Sequence, residues 1–291
     1  MSFYLSALIM GLCLSMLALG IFISMKIFNI PDITTDGSYT LGGAVTAVMF
    51  MHQQNILLVL LAVAASGAIA GALTGLIHTK LKINALLAGI LVMTALYSVN
   101  LIIMQRSNIP LTDASKLLFG LIHISKTDDL NTLFIVLLFV IIATIKIGYL
   151  LKTDFGVAMR ATGNSESMVR ALGVNTDRMK IIGLALANAL TALSGFLVTQ
   201  FQLFADISMG IGVVIVGLGS VIIAETVINW LRITSVWGSL ALVLGGAVIF
   251  QFVLAFTLAI GIDANYLKIV TAAFVLLIVS LPRITQRGRA A

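Results

Sequence analysis

The sequence predicts an all-α integral membrane protein, a polytopic bundle of about eight to ten transmembrane helices, some of them discontinuous. Of its 291 residues 60% are hydrophobic and only 10% charged, with a mean hydropathy of +1.15. A soluble chain of this length exposes far more charge. Apolar runs recur at close to the roughly 20 residues that a helix needs to cross the hydrocarbon core. Lys and Arg gather on alternate connections between those runs, as the positive-inside rule requires.

Spans are expected near 4–25, 37–52, 55–78, 83–104, 129–151, 179–201, 206–230, 236–260 and 265–282. The first run lacks a basic leader and exceeds the apolar length of a signal peptide, so it is read as a retained span. Nine crossings with the N-terminus outside place Lys26, Lys80, Lys82, Lys146, Lys152, Arg160, Arg170, Arg178, Lys180, Arg232, Arg283, Arg287 and Arg289 on or near the cytoplasmic face. Arg106, Lys116, Lys126 and Lys268 fall outside, a split of thirteen to four among the 17 basic residues. The C-terminus is then cytoplasmic. The connection 105–130, with Asp113, Asp128 and Asp129, reads as the main external segment. Residues 1–291 form a single transmembrane domain, with 152–180 as a polar cytoplasmic segment inside it.

The net charge of +6 does not mark a nucleic-acid binder, because the basic residues cap apolar runs and form no dense patch. Cys13 is the single cysteine, and no Cys/His cluster has metal spacing. His52, His78 and His123 sit at span ends or in a loop and are assigned no chemistry. No GxxxxGK[ST] loop occurs and no nucleophile has a matching base, so the chain itself is not expected to hydrolyse ATP or to be an enzyme.

Gly67, Gly71 and Gly75 line one face of the third span at GxxxG spacing, which allows close helix packing, within the subunit in preference to a subunit interface. The stretch 28–43 places Asp32 and Asp36, four Ser or Thr residues and three glycines before a short apolar run. It reads either as a break buried in protein or facing a water-filled cavity, or as a cytoplasmic turn in which Asp36 or Ser38 caps the second helix. Glycines recur at 210–220, including Gly217 and Gly219, and permit a bend or close backbone approach. Glu225 follows, either functional or paired with Arg232 or another cation. Asn84, Asn100 and Asn188 are amides within apolar spans, read as interhelical hydrogen bonds before ligand contacts. Asp32, Asp36, Asn84, Asn188, Gly217, Gly219 and Glu225 are the candidates for a translocation path.

The polar island at 152–180 is the most informative segment. Asn164 or Ser165 caps a short helix through Glu166, Met168, Val169, Arg170 and Leu172, with Gly163 before it and Gly173 after it. Glu166 and Arg170 complement each other one turn apart. Met168, Val169 and Leu172 are expected on its exposed face, against a groove of a soluble partner or against lipid headgroups.

Phe155-Gly-Val-Ala-Met-Arg160-Ala-Thr162-Gly163-Asn164-Ser165, followed by Ala171-Leu-Gly173-Val-Asn-Thr-Asp-Arg178, resembles the cytoplasmic signature of bacterial ABC importer permeases of the branched-chain amino acid and ribose type. The likeness extends through 184–195, 210–220 and 30–43, and the last is similar to a branch associated with aromatic amino acid (tryptophan or tyrosine) uptake. The resemblance implies a permease subunit in the inner membrane, paired with a second copy. Two ATPase subunits binding ATP and Mg would sit inside and a substrate-binding protein outside. It also implies that Thr162, Gly163, Asn164, Ser165, Glu166, Met168, Val169, Arg170, Leu172 and Gly173 form the coupling element that docks on the ATPase. The competing readings are an ion- or proton-coupled secondary transporter using Asp32, Asp36 or Glu225, and an ABC permease for a sugar or nucleoside. An intramembrane enzyme lacks any paired acid and base.

Overall fold

The computed structural model describes residues 2–111, 118–121, 128–263 and 266–287. Asp113, Lys116, His123, Lys126 and Arg289 lie outside the described residues.

The apolar runs fold as helices because in hydrocarbon the backbone must satisfy its own hydrogen bonds. Helix α1 (Ser2–Ile21) continues into a π-helical turn, Phe22–Ile27. An irregular joint at 28–33 leads to α2 (Thr34–Met51), α3 (Ile56–Lys80) and α4 (Ala85–Met104). The one-turn α5 (Leu118–Leu121) precedes α6 (Asp128–Lys152). The polar island holds two short helices, α7 (Asp154–Asn164) and α8 (Glu166–Ala171). The chain continues through α9 (Thr176–Gln202), α10 (Val213–Leu231), α11 (Val236–Ala259) and α12 (Leu267–Arg287). Strands β1 (Asn108–Pro110) and β2 (Phe204–Asp206) pair antiparallel, Asn108 opposite Asp206, and form the only sheet among the described residues.

Among the described residues seven helices are long and apolar enough to cross a membrane: α1 with its π turn, α3, α4, α6, α9, α10 and α11. With their apolar outer faces they make the chain a multi-pass membrane protein. Two of the nine expected spans differ in kind. Helix α2 is rich in Gly and Thr, and 13 of its 18 residues are buried, so it is enclosed by protein rather than by lipid. Helix α12 has a shorter apolar stretch, Leu267–Ile278. The span expected from 206 begins instead at Val213. Asp206 takes the Ser208 N–H and hydroxyl into a local turn, and Gly212 starts the helix at φ +84°, a conformation that glycine adopts without strain.

Helix α9 is the centre of the bundle and packs on α1, α2 and α3. A Cβ added at Gly71 would lie 2.1 Å from the Leu184 carbonyl oxygen, at Gly67 2.5 Å from that of Asn188, and at Gly75 2.8 Å from the Ile181 Cα. The glycine row therefore joins α3 to α9 within this chain. On α10, Gly217 meets Leu17 and Ile21 of α1, and Gly219 meets Phe250 and Val275 of α11 and α12. Both are closed into helix contacts.

Opposite ends of the bundle are chemically distinct. Lys26 Nζ lies 3.1 Å from Glu225 Oε1, and Lys80 Nζ 3.6 Å from Asp177 Oδ2. These pairs share one end with α7 and α8. The β1–β2 ribbon marks the other, where Arg106 Nη2 also reaches Met51 Sδ at 3.4 Å. That alternation agrees with the basic-residue pattern. The outer faces of α3, α4 and α6 expose Leu57, Leu61, Ile102, Ile145 and Tyr149, the apolar surface that helices present to lipid.

Candidate functional site

Inside the bundle, the joint before α2 is a buried polar centre. Asp32, Thr34, Thr35, Asp36 and Ser38 are all buried, so the joint is a break enclosed by protein and not a solvated turn. Asp32 Oδ1 accepts from the Thr34 N–H at 2.9 Å and turns the chain into α2. Its Oδ2 accepts from Asn188 Nδ2 at 2.7 Å, and Asn188 Oδ1 accepts from Ser38 Oγ at 2.7 Å. The hydroxyls of Thr34 and Thr74 meet at 2.7 Å. Asn188 stands about 18 Å along α9 at 1.5 Å per residue, so this network lies deep in the bundle. Buried polar atoms must be paired there, and these pairs fix α2, α3 and α9 together.

Asp36 acts on a different helix from the one expected. It does not cap α2. Its Oδ2 accepts from the Gly212 N–H at 2.9 Å and its Oδ1 from the Val214 N–H at 2.8 Å. A carboxylate there satisfies two orphan donors and complements the helix dipole at the start of α10. Asn84 is also placed differently. It lies before the apolar span and caps α4, its Oδ1 accepting from the Leu86 N–H at 2.9 Å. Asn100 donates to the Gly37 carbonyl at 3.2 Å, as an interhelical amide should, although its Oδ1 has no partner among the described residues. Glu225 pairs with Lys26 and not with Arg232, which ends α10 in the left-handed region.

At the basic end, α7 and α8 form a platform. Thr153 caps α7, its Oγ1 accepting from the Gly156 N–H at 3.3 Å. Thr162, Gly163 and Asn164 belong to the last turn of α7, not to the approach to α8. A Cβ at Gly163 would fall 1.6 Å from the Ile27 carbonyl oxygen, and Asn29 Nδ2 bonds the Gly163 carbonyl at 3.1 Å. The platform thus touches the chain just ahead of the Asp32 joint. Ser165 separates α7 from α8 but makes no side-chain cap. Helix α8 ends as expected at Gly173, φ +86°, with the Val174 N–H on the Val169 carbonyl at 3.3 Å and the Gly173 N–H on that of Arg170 at 3.0 Å.

A chain of ions fixes α8 to its neighbours. Arg170 Nη2 lies 3.0 Å from both Glu166 Oε1 and Asp177 Oδ1. Lys180 Nζ meets Glu166 Oε2 at 2.5 Å, and Lys80 reaches Asp177 from α3. Thr176 Oγ1 accepts from Arg170 Nη2 at 2.8 Å and donates to Glu166. Val169 is buried beneath this lattice, contrary to the exposed position expected, while Met168 and Leu172 are 63% and 73% exposed. The Lys180 ammonium, with smaller help from Thr176 and Arg170, holds the Glu166 carboxyl below the ordinary carboxylate range. Its contribution is therefore complete above the unperturbed value of about 4.3 and is lost as pH falls through the lower folded value. Limited proteolysis at the island should rise in the wild type only below about pH 4. Glu166→Gln should be cleaved faster already at neutral pH and respond less to acid.

Residues 3–280 match the family described as branched-chain amino acid transport system / permease component. The chain belongs to this permease family. It is 37% identical over 276 residues to a tyrosine transport system permease protein of Clostridioides difficile, covering 95% of this chain and 90% of the relative. It is 28% identical over 251 residues to the ribose import permease protein RbsC of Escherichia coli K12, covering 85% and 75%. It is 27% identical over 208 residues to a probable branched-chain amino acid transport permease protein, LivH, of Methanocaldococcus jannaschii, covering 67% and 65%. No solved structure matches the chain. The permease is thus a membrane component of a transport system and not itself an enzyme.

Sequence reading missed several members of both sites. Thr74 and Lys80 join through contacts far apart in sequence, with Thr34 and Asp177, whereas Thr176 and Asp177 reach Arg170 across the turn between α8 and α9. Thr153 before an acidic first turn, and Asn175 before α9, carried a recognisable capping signal. Among the described residues no group of three or more metal-ligating side chains occurs.

Proposed function

We propose that the chain is the membrane-spanning subunit of an ATP-driven, binding-protein-dependent importer of an amino acid, with an aromatic amino acid as solute. It lies in the bacterial inner membrane with its C-terminus in the cytoplasm, and pairs with a second copy to enclose the path. ATP and Mg bind in two separate ATPase subunits, and a soluble protein outside delivers the solute. The observation that carries this reading is the platform itself: α8 is held by ions on every inner side while Met168 and Leu172 remain uncovered. Such a rigid element with an apolar tip suits docking into a groove of a soluble partner.

The geometry supplies a route for force. Movement of α8 is passed to α9 through Arg170–Asp177 and Glu166–Lys180. Helix α9 carries Asn188, whose bonds to Asp32 and Ser38 take the start of α2 with it. Asp36 then carries the start of α10. These contacts join three membrane helices to one platform, as alternating access requires of elements that move as bodies. In this account Asp32, Asp36 and Asn188 change the path when that joint moves.

The solute class is favoured by the greater identity to the tyrosine permease than to the ribose permease. Proteoliposomes containing this chain, its ATPase subunits and its binding protein should take up tyrosine or tryptophan, and not ribose, only when ATP is supplied inside the ATPase compartment. Uptake by the chain alone under an ion gradient would instead establish a secondary transporter.

A further inference from the structure

Between β2 and α10 the chain runs into the middle of the bundle without forming a helix. Residues 207–212 are turns, and they descend along α2. A Cβ added at Gly210 would fall 2.1 Å from the Asp36 carbonyl oxygen, and the Gly212 N–H donates to the Asp36 carboxylate. Asp36 stands two residues before Ser38, which bonds Asn188. Asn188 lies about 18 Å along the roughly 40 Å of α9, so residues 210–212 sit near mid-depth. The same level follows from below. Glu225, paired with Lys26 at the basic end, lies about 18 Å beyond Val213 along α10.

Backbone outside a helix is tolerated at this depth only where protein encloses it or water lines it. Protein encloses one side: Ala205 and Ile207 are buried against Ala44 and Ala47 of α2, and Gly210 is buried too. The other side is open. Ile211 is 52% exposed and Ile215, one turn later, 40%. The carbonyls of Met209 and Ile211 accept no hydrogen bond among the described residues. Facing hydrocarbon, such carbonyls are costly, whereas water satisfies them. Exposure continues down α10 at helical spacing. Ile215, Thr226 and Asn229 share one face, opposite the buried Gly217, Val221 and Ala224. Ser208 above and Asn229 below make both ends of this face polar.

We infer that this face of α10 borders a water-filled path, with Ile211 and Ile215 as its apolar band at mid-depth. That the water-filled space carries solute rests on the transport reading above. An apolar band excludes water and ions while it is narrow and admits them when its walls part. Ile211 and Ile215 flank Gly212 and Val214, the two residues whose N–H groups Asp36 holds. The band is therefore fixed to the same joint that links α2 to α9, and the platform sets its width.

The test is cysteine accessibility in proteoliposomes of the full chain with its ATPase subunits. Cys13, the single native cysteine, is wholly buried, so the wild type is a silent background. The thiolate and not the thiol is the nucleophile, so a cationic methanethiosulfonate labels only positions that water reaches. Ile211→Cys and Ile215→Cys should be labelled at least about tenfold faster than Leu138→Cys, in either the ATP-free or the ATP-bound state. Leu138 is 54% exposed on the outer face of α6 and reports lipid contact. Labelling of both band positions no faster than Leu138→Cys in both states would overturn the inference. So would oxidative cross-linking of Ile215→Cys between two copies with the reagent excluded, which would make this face a dry subunit contact. Ile211→Ser with Ile215→Ser should make liposomes holding the permease alone leaky to tyrosine. A double variant as tight as the wild type would overturn the band. Fast labelling without ATP-driven tyrosine uptake would retract the transport reading and leave the water-filled face standing.

Discussion

Gly42→Val should leave almost no folded protein in the membrane. A Cβ at position 42 lies 2.0 Å from the Ala192 carbonyl oxygen and 2.7 Å from its carbon. Both are backbone atoms of α9, so no side chain can turn away to make room. Overpacking a core typically costs about 1–3 kcal/mol when neighbours can shift. Here α2 and α9 must separate, and with them the Ser38–Asn188 and Asp32–Asn188 bonds. Fluorescence-detected size-exclusion chromatography should show the monodisperse peak reduced by about tenfold or more, since destabilisation of 1–2 kcal/mol already changes abundance several-fold. Gly245→Val is the matched control, because a Cβ there meets nothing within 4 Å, and its peak should stay near that of the wild type.

Asp36→Ala should detach the start of α10. Two half-buried backbone N–H groups, of Gly212 and Val214, lose their charged acceptor. A hydrogen bond to a charged group contributes about 1.5–3 kcal/mol, and solvent replaces part of it at half-buried donors, so a loss of about 2–4 kcal/mol is expected. Hydrogen exchange at residues 212–216 should accelerate before the rest of the bundle is affected, and uptake should fall with it. Asp36→Asn keeps one side-chain acceptor and should fall between the wild type and alanine in both measurements.

The sequence revealed most of the helices because the bilayer imposes their length and apolarity. The exceptions have physical causes. Helix α2 is buried in protein and needs no apolar surface, so its Thr and Gly content obscured only its first turn: the span expected from 37 begins at Thr34. The start of α10 moved to Val213 because Asp206 and Ser208 close a turn that helix periodicity does not register.

The platform was legible in part for the same kind of reason. Glu166 with Arg170, and Gly173 after them, are local signals and their geometry is as expected. Val169 is buried and Thr162 and Gly163 serve α7, because the contacts that decide this come from residues 27–29 and from α9. Long-range pairings were least accessible. Asp36 finds its donors 176 and 178 residues away, and Asp32 meets Asn188 at a separation of 156. Nothing in local periodicity links such residues, whereas an expensive carboxylate in an apolar chain does mark each as needing a partner.

The central claim is that α8 receives the work of ATP hydrolysis through its uncovered tip. Met168→Glu with Leu172→Glu changes two exposed side chains and none of the ion pairs that hold α8. The direct measurement is ATP-driven tyrosine uptake and ATPase co-purification for this double variant, in proteoliposomes with equal amounts of folded permease. The account predicts that both are lost while the thermal stability of the permease is unchanged. Full uptake with the ATPase still bound would contradict it.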